Sequence, residues 1–219
     1  MNMYSNLSIS NLKLINKLKD SKYRYEYKLF WVEGLRSISS FIEHGLELKF
    51  AVISCDFSVP EDFIKIKDKI FVCKNDEIKK IKATETFPGI GAVFAMPSFE
   101  KKLSDTIIIL EKISDPGNLG TIFRTAAWFG IDTFILDSET VDPYNEKTIR
   151  ASMGALGIIK FHFAKDLKSE LQNLKAQGFS IISTCMDGTN IKETSFPKKR
   201  AIVFGKESSG ISKQILDIS

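Results

Sequence analysis

Apolar positions along the chain alternate between a helical rhythm and short continuous runs bounded by glycine, proline or charge, which is the pattern of an α/β protein. Leu12, Ile15 and Leu18 recur at helical spacing after Ser10-Asn11, the expected N-cap pair. A second helix is expected over 35–44, with Ile38, Phe41 and Ile42 on one side and Gly45 as the stop. Runs at 48–54, 69–73 and 91–96 predict strands. Helices at 61–67 and from Asp76, as cap, to Ala83 separate them. Together these elements form a compact α/β/α unit with its own core.

Pro97-Ser98-Phe99-Glu100-Lys101-Lys102 interrupts the rhythm with a proline and charges, so a linker is expected there, between domains at 1–98 and 105–219. A second alternation follows. Strands are predicted at 106–113, 133–137, 158–163, 180–185 and 201–204, and helices after 115, at 145–155 and at 166–177. Strands spaced by helices of about ten residues argue for a parallel sheet covered on both faces.

Composition narrows the class. The 219 residues contain no apolar run of the roughly 18 that a membrane span requires, and residues 1–20 lack a signal-peptide core, so a cytoplasmic protein off the membrane is expected. Cys55, Cys73 and Cys185 are odd in number and far apart, which disfavours a disulfide framework or zinc site. Two histidines leave little material for metal chemistry, and no metal is expected. The net charge of +4 resides in residues 1–40, where seven cations face three acids. Those cations interleave with Tyr23, Tyr25, Tyr27 and Trp31, which suits a polyanion with stackable bases or, equally, a solvated helix face with tyrosines turned inward.

Two loops concentrate the remaining chemistry. One is Asp115-Pro116-Gly117-Asn118-Leu119-Gly120 through Arg124-Thr125-Ala126. The other is Val203-Phe204-Gly205-Lys206-Glu207-Ser208-Ser209-Gly210-Ile211. Each follows an apolar strand, where α/β proteins place ligands, and each is expected to open into a helix. A P-loop is excluded: no glycine precedes Gly205-Lys206 at the required spacing, and Glu207 stands where Ser or Thr belongs. No G-x-G-x-x-G follows any strand, and no Ser-His-Asp or Cys-His set exists.

Asn118-x-Gly120-x-x-x-Arg124-Thr125-Ala126 resembles motif 1 of the SpoU/TrmH RNA ribose methyltransferases of the SPOUT class, and 203–211 resembles motif 2. Arg150-Ala151-Ser152-Met153-Gly154-Ala155 resembles the small-residue helix between them. Lys22 to Tyr27 and Phe30 to Gly34 resemble the start of the family's L30e-like RNA-binding domain. The resemblance implies an L30e-like N-terminal domain and a SPOUT (α/β knot) parallel-sheet domain, acting as a homodimer. It also implies transfer of the S-adenosyl-L-methionine methyl group to a ribose 2′-hydroxyl, with ribosomal RNA as substrate and transfer RNA as the alternative.

By that resemblance Arg124, Asn118 and Glu207 are catalytic. Gly205, Thr184, Ile202 and Lys206 bind the cofactor, and Lys22, Arg24 and Arg36 contact RNA. Asn118 and Glu207 also suit plain helix-start roles. Phe87-Pro88-Gly89 lacks the glutamine common before the last strand of the leading domain. A third motif, containing Ser-Leu-Asn and forming the knot, is expected to be missing from the chain as given. The rival reading is a non-catalytic RNA-binding protein that keeps the architecture.

Overall fold

The computed structural model describes residues 4–99 and 103–219. In the leading part, strand β1 (Ser5–Asn6) is followed by α1 (Ile9–Lys17), α2 (Ser21–Tyr27), β2 (Leu29–Glu33) and α3 (Leu35–Glu43). Next come β3 (Leu48–Ser54), a 3-10 segment (Glu61–Lys69), β4 (Ile70–Cys73), α4 (Asn75–Ile81) and β5 (Ile90–Ala95). The strand order is β1-β4-β3-β5-β2, with β1, β4 and β3 parallel and β5 antiparallel to both β3 and β2.

Local chemistry sets the boundaries. Helix α1 is capped two residues earlier than expected, because the Ser8 hydroxyl accepts from the Asn11 amide at 3.2 Å; Ser10 lies inside the helix. In α4 the cap is at Lys74, whose amide donates to Glu77 Oε2 at 2.9 Å, so Asp76 sits within the first turn. Gly45 ends α3 at φ 77°, a value that favours glycine.

Of the expected linker, residues 100–102 lie outside the described residues; after them β6 (Thr106–Leu110), α5 (Pro116–Trp128) and β7 (Thr133–Leu136) precede α6 (Glu146–Ser152), and Ala155–Gly157 forms a short 3-10 turn. Then follow β8 (Lys160–Phe163), α7 (Leu167–Ala176), β9 (Ser180–Ser183), β10 (Arg200–Phe204) and α8 (Lys213–Leu216). Their sheet is wholly parallel, in the order β8-β7-β6-β10-β9. Ile107 to Leu110 are all buried, as expected for a central parallel strand covered on both faces. Ile107, Ile109, Leu171, Leu174, Val203 and Ile215 share one core cluster. Leu119 and Phe123 are buried along α5, and Phe123 meets Phe134 edge-on at 4.9 Å.

Two compact units result. One comprises residues up to Ser98 together with Asp142–Gly157; the other comprises Phe99–Val141 and Ile158–Ser219. Aromatic packing places the 142–157 segment in the first unit. Phe30, Phe41 and Phe94 form a cluster with centroids 5.5–6.0 Å apart, and Tyr144 closes it at 4.6 Å from Phe30.

Candidate active site

In the second unit the chain winds outward from β6 through β7 to β8, then returns to set β10 on the other side of β6. The loops after β6 and β10 therefore diverge from adjacent strand ends, the position where open parallel sheets form a ligand crevice. The register fixes their start: Leu110 pairs with Phe204, and the Glu111 amide donates to the Phe204 carbonyl at 2.9 Å.

The first loop is held by its own helix. Asp115 is the N-cap of α5, its carboxylate accepting from the Asn118 amide at 2.7 Å, and Pro116 occupies the first turn, where its missing N–H costs nothing. Asn118 is thus not the cap. Its side chain is free for another partner, and its Nδ2 donates to Glu207 Oε2 at 3.2 Å. Two residues 89 positions apart are joined at the crevice.

The second loop is a tight return rather than a helix start. Lys206 and Gly210 form an antiparallel bridge, the Gly210 amide donating to the Lys206 carbonyl at 2.8 Å, and α8 begins only after Ser212. Glu207 therefore sits on a turn, and no helix dipole explains its acid. Gly205 has a reason inside the chain: a Cβ there would lie 2.3 Å from the Gly210 carbonyl oxygen. Only a glycine lets the loop fold back this closely. Glu111, buried at the end of β6, accepts from the Ser212 amide at 2.8 Å and fastens the far end of the same loop.

These parts enclose a cavity of about 340 Å³ lined by Ile113, Asp115, Asn118, Thr121, Gly205 and Glu207 among others. Asn118, Gly205 and Glu207 are brought together there. The other expected residues are not. Arg124 lies six residues beyond Asn118, about 9 Å along α5 and about 240° around it. It is exposed and makes no hydrogen bond or ion pair with a described residue. The Thr184 hydroxyl donates to the Val203 carbonyl at 3.0 Å, closing the end of β9. Ile202 is a mid-strand residue paired with Ile108 and Ile182. Lys206 contributes its backbone to the turn and exposes its side chain.

Among the cations expected to meet RNA, Lys22 and Arg36 are exposed, with the Lys22 ammonium 5.7 Å from the Tyr23 ring centre. Arg24 is corrected: it is 6% exposed and committed internally. Its Nε donates to Asp142 Oδ2 at 2.9 Å, with Nη2 on the same oxygen, while Nη1 donates to the Leu18 and Lys19 carbonyls. A guanidinium so engaged has little left for a phosphate. Glu111, Asp115 and Thr121 escaped the sequence reading. The single signal for Glu111 is an acid directly after four apolar strand residues.

The family model for SpoU rRNA methylases matches residues 105–219. The chain belongs to the SpoU rRNA methylase family. A second model, the MRM3-like substrate-binding domain, matches residues 10–92 of this SpoU methylase. The chain is 27% identical over 205 residues to the 23S rRNA (guanosine(2553)-2′-O)-methyltransferase RlmP of Bacillus subtilis, covering 92% of this chain and 81% of that one. It spans about half, 56%, of the length of an uncharacterised tRNA/rRNA methyltransferase of Synechocystis. A putative TrmH-family RNA methyltransferase from Porphyromonas gingivalis superposes with a TM-score of 0.84 at 27% identity, over 98% of this chain and 86% of that one. An AdoMet-bound rRNA methyltransferase from Sinorhizobium meliloti shares the fold, with a TM-score of 0.80 at 23% identity over 99% and 86% of the two chains.

The mixed α/β architecture with a parallel second sheet, expected from the motifs, is therefore that of the SpoU/TrmH proteins, and this SpoU methylase is an RNA methyltransferase. The crevice between the β6 and β10 loops, where the two motif-bearing loops meet, is its candidate site.

Proposed function

We propose that the protein transfers a methyl group from S-adenosyl-L-methionine to a ribose 2′-hydroxyl of ribosomal RNA, working as a homodimer in the cytoplasm. The observation that carries this reading is the Asn118–Glu207 contact, which ties the two motif-bearing loops across one cavity. The name of the Bacillus subtilis relative supports ribose 2′-oxygen and ribosomal RNA as the target. The AdoMet-bound Sinorhizobium structure supports the cofactor. The donor set fits: Ile113, Ile122 and Phe204 offer apolar walls, while the carboxylates of Asp115 and Glu207 suit a ligand with a sulfonium cation. Bound there, S-adenosyl-L-methionine supplies an electrophilic methyl group.

The chain's own residues hold and orient. Gly205 and the turn it permits form one wall, and Asn118 fixes the Glu207 carboxylate. A 2′-hydroxyl is a weak nucleophile until its proton is shared, so a positioned group must share it while the oxygen is held in line. Arg124 serves by orienting the hydroxyl and its neighbouring phosphate through the fixed fork of donors on its guanidinium. Its side chain, exposed and without a partner among the described residues, suits a site completed by a second copy. Trp128 and Phe129, 86% and 73% exposed at the end of α5, supply the apolar surface such a contact needs.

The test uses tritium-labelled S-adenosyl-L-methionine with unmodified bacterial ribosomal RNA and transfer RNA in parallel, followed by alkaline digestion. A 2′-O-methylated nucleotide blocks cleavage of its own phosphodiester, so label in alkali-stable dinucleotides from ribosomal RNA is the expected result. Label in mononucleotides would overturn ribose as the target, and label in transfer RNA alone would overturn the substrate. RNA binding without label would return the protein to the non-catalytic reading. Sedimentation of Trp128→Glu should show a monomer with little activity; an active monomer would overturn the shared site.

A further inference from the structure

The leading unit carries a second cavity that the methyl-transfer reading does not use. It measures about 320 Å³ and lies at the carboxyl ends of β3 and β4, lined by Ser54, Asp56, Phe57, Asn75, Ile78 and Phe87, with Gly89 at its edge. That size is at the small end of ligand sites and is enough for one planar group.

Its walls and polar groups differ in kind. Phe57, Phe87 and Ile78 are apolar, and the Phe57 ring is pressed against the backbone: a Cβ on Gly89, at φ 83°, would fall 2.4 Å from it. The turn below is tied twice, the Phe57 amide donating to the Ser54 carbonyl at 3.1 Å and the Ser54 amide to the Gly89 carbonyl at 2.9 Å. The polar groups are open. Asn75 has no side-chain partner among the described residues, so both its amide donors and its acceptor are available. Asp56 is exposed, and the Ser54 hydroxyl beside it, with its own backbone N–H, holds its carboxyl below the usual carboxylate range. It remains an acceptor at neutral pH.

Aromatic walls around open hydrogen-bonding groups are how proteins take an unstacked base. An ionised carboxylate accepts only, so it selects a base with two neighbouring donors. Guanine presents them, N1–H and N2–H, on one edge. Adenine, cytosine and uracil each place an acceptor beside their donor. Lys74 precedes Asn75 in the chain and is exposed, available to the accompanying phosphates.

Resting on the RNA-methyltransferase reading, we propose that this cavity binds one unstacked guanine of the substrate RNA, with Asp56 accepting from its Watson–Crick edge, Asn75 adding an amide contact and the two phenylalanines enclosing the ring.

The experiment measures binding of the full chain, by fluorescence anisotropy at about 0.1 M salt, to a hairpin whose loop is uridines with a single guanosine. Matched hairpins carry inosine, which lacks the N2 donor, or adenosine at that place. The expected result is about tenfold tighter binding of guanosine than of inosine, in keeping with loss of one hydrogen bond to a charged group. Asp56→Asn should erase that discrimination while leaving general, salt-sensitive affinity in place. Equal affinity for the three hairpins, or discrimination that survives Asp56→Asn, overturns the proposal. Guanosine 5′-monophosphate binding as tightly as the hairpin would overturn RNA as the source. Methyl transfer is followed in the same samples: alkali-stable label without guanosine preference sinks this inference alone, whereas preference without label sinks the methyltransferase function and leaves the cavity as an RNA contact.

Discussion

Removing the Arg24 guanidinium should destabilise the protein rather than weaken its hold on RNA. In Arg24→Met the aliphatic stem is kept, but the Asp142 carboxylate loses the cation to which Nε and Nη2 both donate. Among the described residues it keeps the Tyr25 hydroxyl and the Tyr144 amide, at 2.8 and 2.9 Å. The Leu18 and Lys19 carbonyls lose their donors as well. Breaking one side of a buried ion pair costs about 3–5 kcal/mol, because the remaining charge stays out of water. That is a large part of the roughly 5–15 kcal/mol that holds a domain folded. Urea unfolding should be followed by Trp31 fluorescence in a Trp128→Phe background, since Trp31 is buried in the leading unit and Trp128 is exposed in the other. The expected loss is about 3 kcal/mol or more. Combining Arg24→Met with Asp142→Asn should cost at least about 1 kcal/mol less than the two singles added, as partners in one network do. A loss below about 1 kcal/mol, accompanied by weaker RNA binding, would refute the structural role and return Arg24 to the RNA surface.

Three further outcomes follow from the site and its surroundings. Arg124→Ala should leave stability within about 0.5 kcal/mol, because the side chain is exposed and unpartnered among the described residues, yet lower turnover more than tenfold; normal turnover would remove Arg124 from catalysis. Gly205→Ala should cost about 1–3 kcal/mol by thermal unfolding and lower methyl transfer, since its Cβ would meet the Gly210 backbone and that turn cannot give way; an unaffected enzyme would show the turn to be slack. A disulfide-exchange reagent at pH 8 should titrate Cys55 and Cys185 quickly and Cys73 only after unfolding, because burial pushes the Cys73 thiol up to about 12 and keeps it protonated. Three rapid equivalents would contradict that.

Much of the architecture was legible because local signals decide it. The apolar run 48–54 is a strand within those bounds, and Gly45 ends its helix with positive φ as expected. Charged interior residues were not legible. Nothing around Arg24, set among tyrosines and lysines, announces a carboxylate 118 positions later. Glu33 likewise gives no hint that Trp31, Ala83 and Thr84 all donate to it. At the candidate site the motif words located the loops, while the roles within them depended on geometry. Asn118 looks like a cap until Asp115 is seen to fill that place, and Glu207 looks like a helix start until the chain turns back at Gly205.

The division of the chain has a consequence for its synthesis. The polypeptide passes between the two units three times, at 98/99, 141/142 and 157/158. A ribosome that has delivered residue 98 has not delivered a complete first unit, for Asp142 and Tyr144 are still to be made. Residues 99–157, a stretch of 59, must emerge first, which takes about 3–12 s at about 5–20 residues per second. During that interval the Phe30, Phe41 and Phe94 rings lack their fourth member and Arg24 lacks its counter-charge, so the leading unit cannot close its core until the later segment arrives.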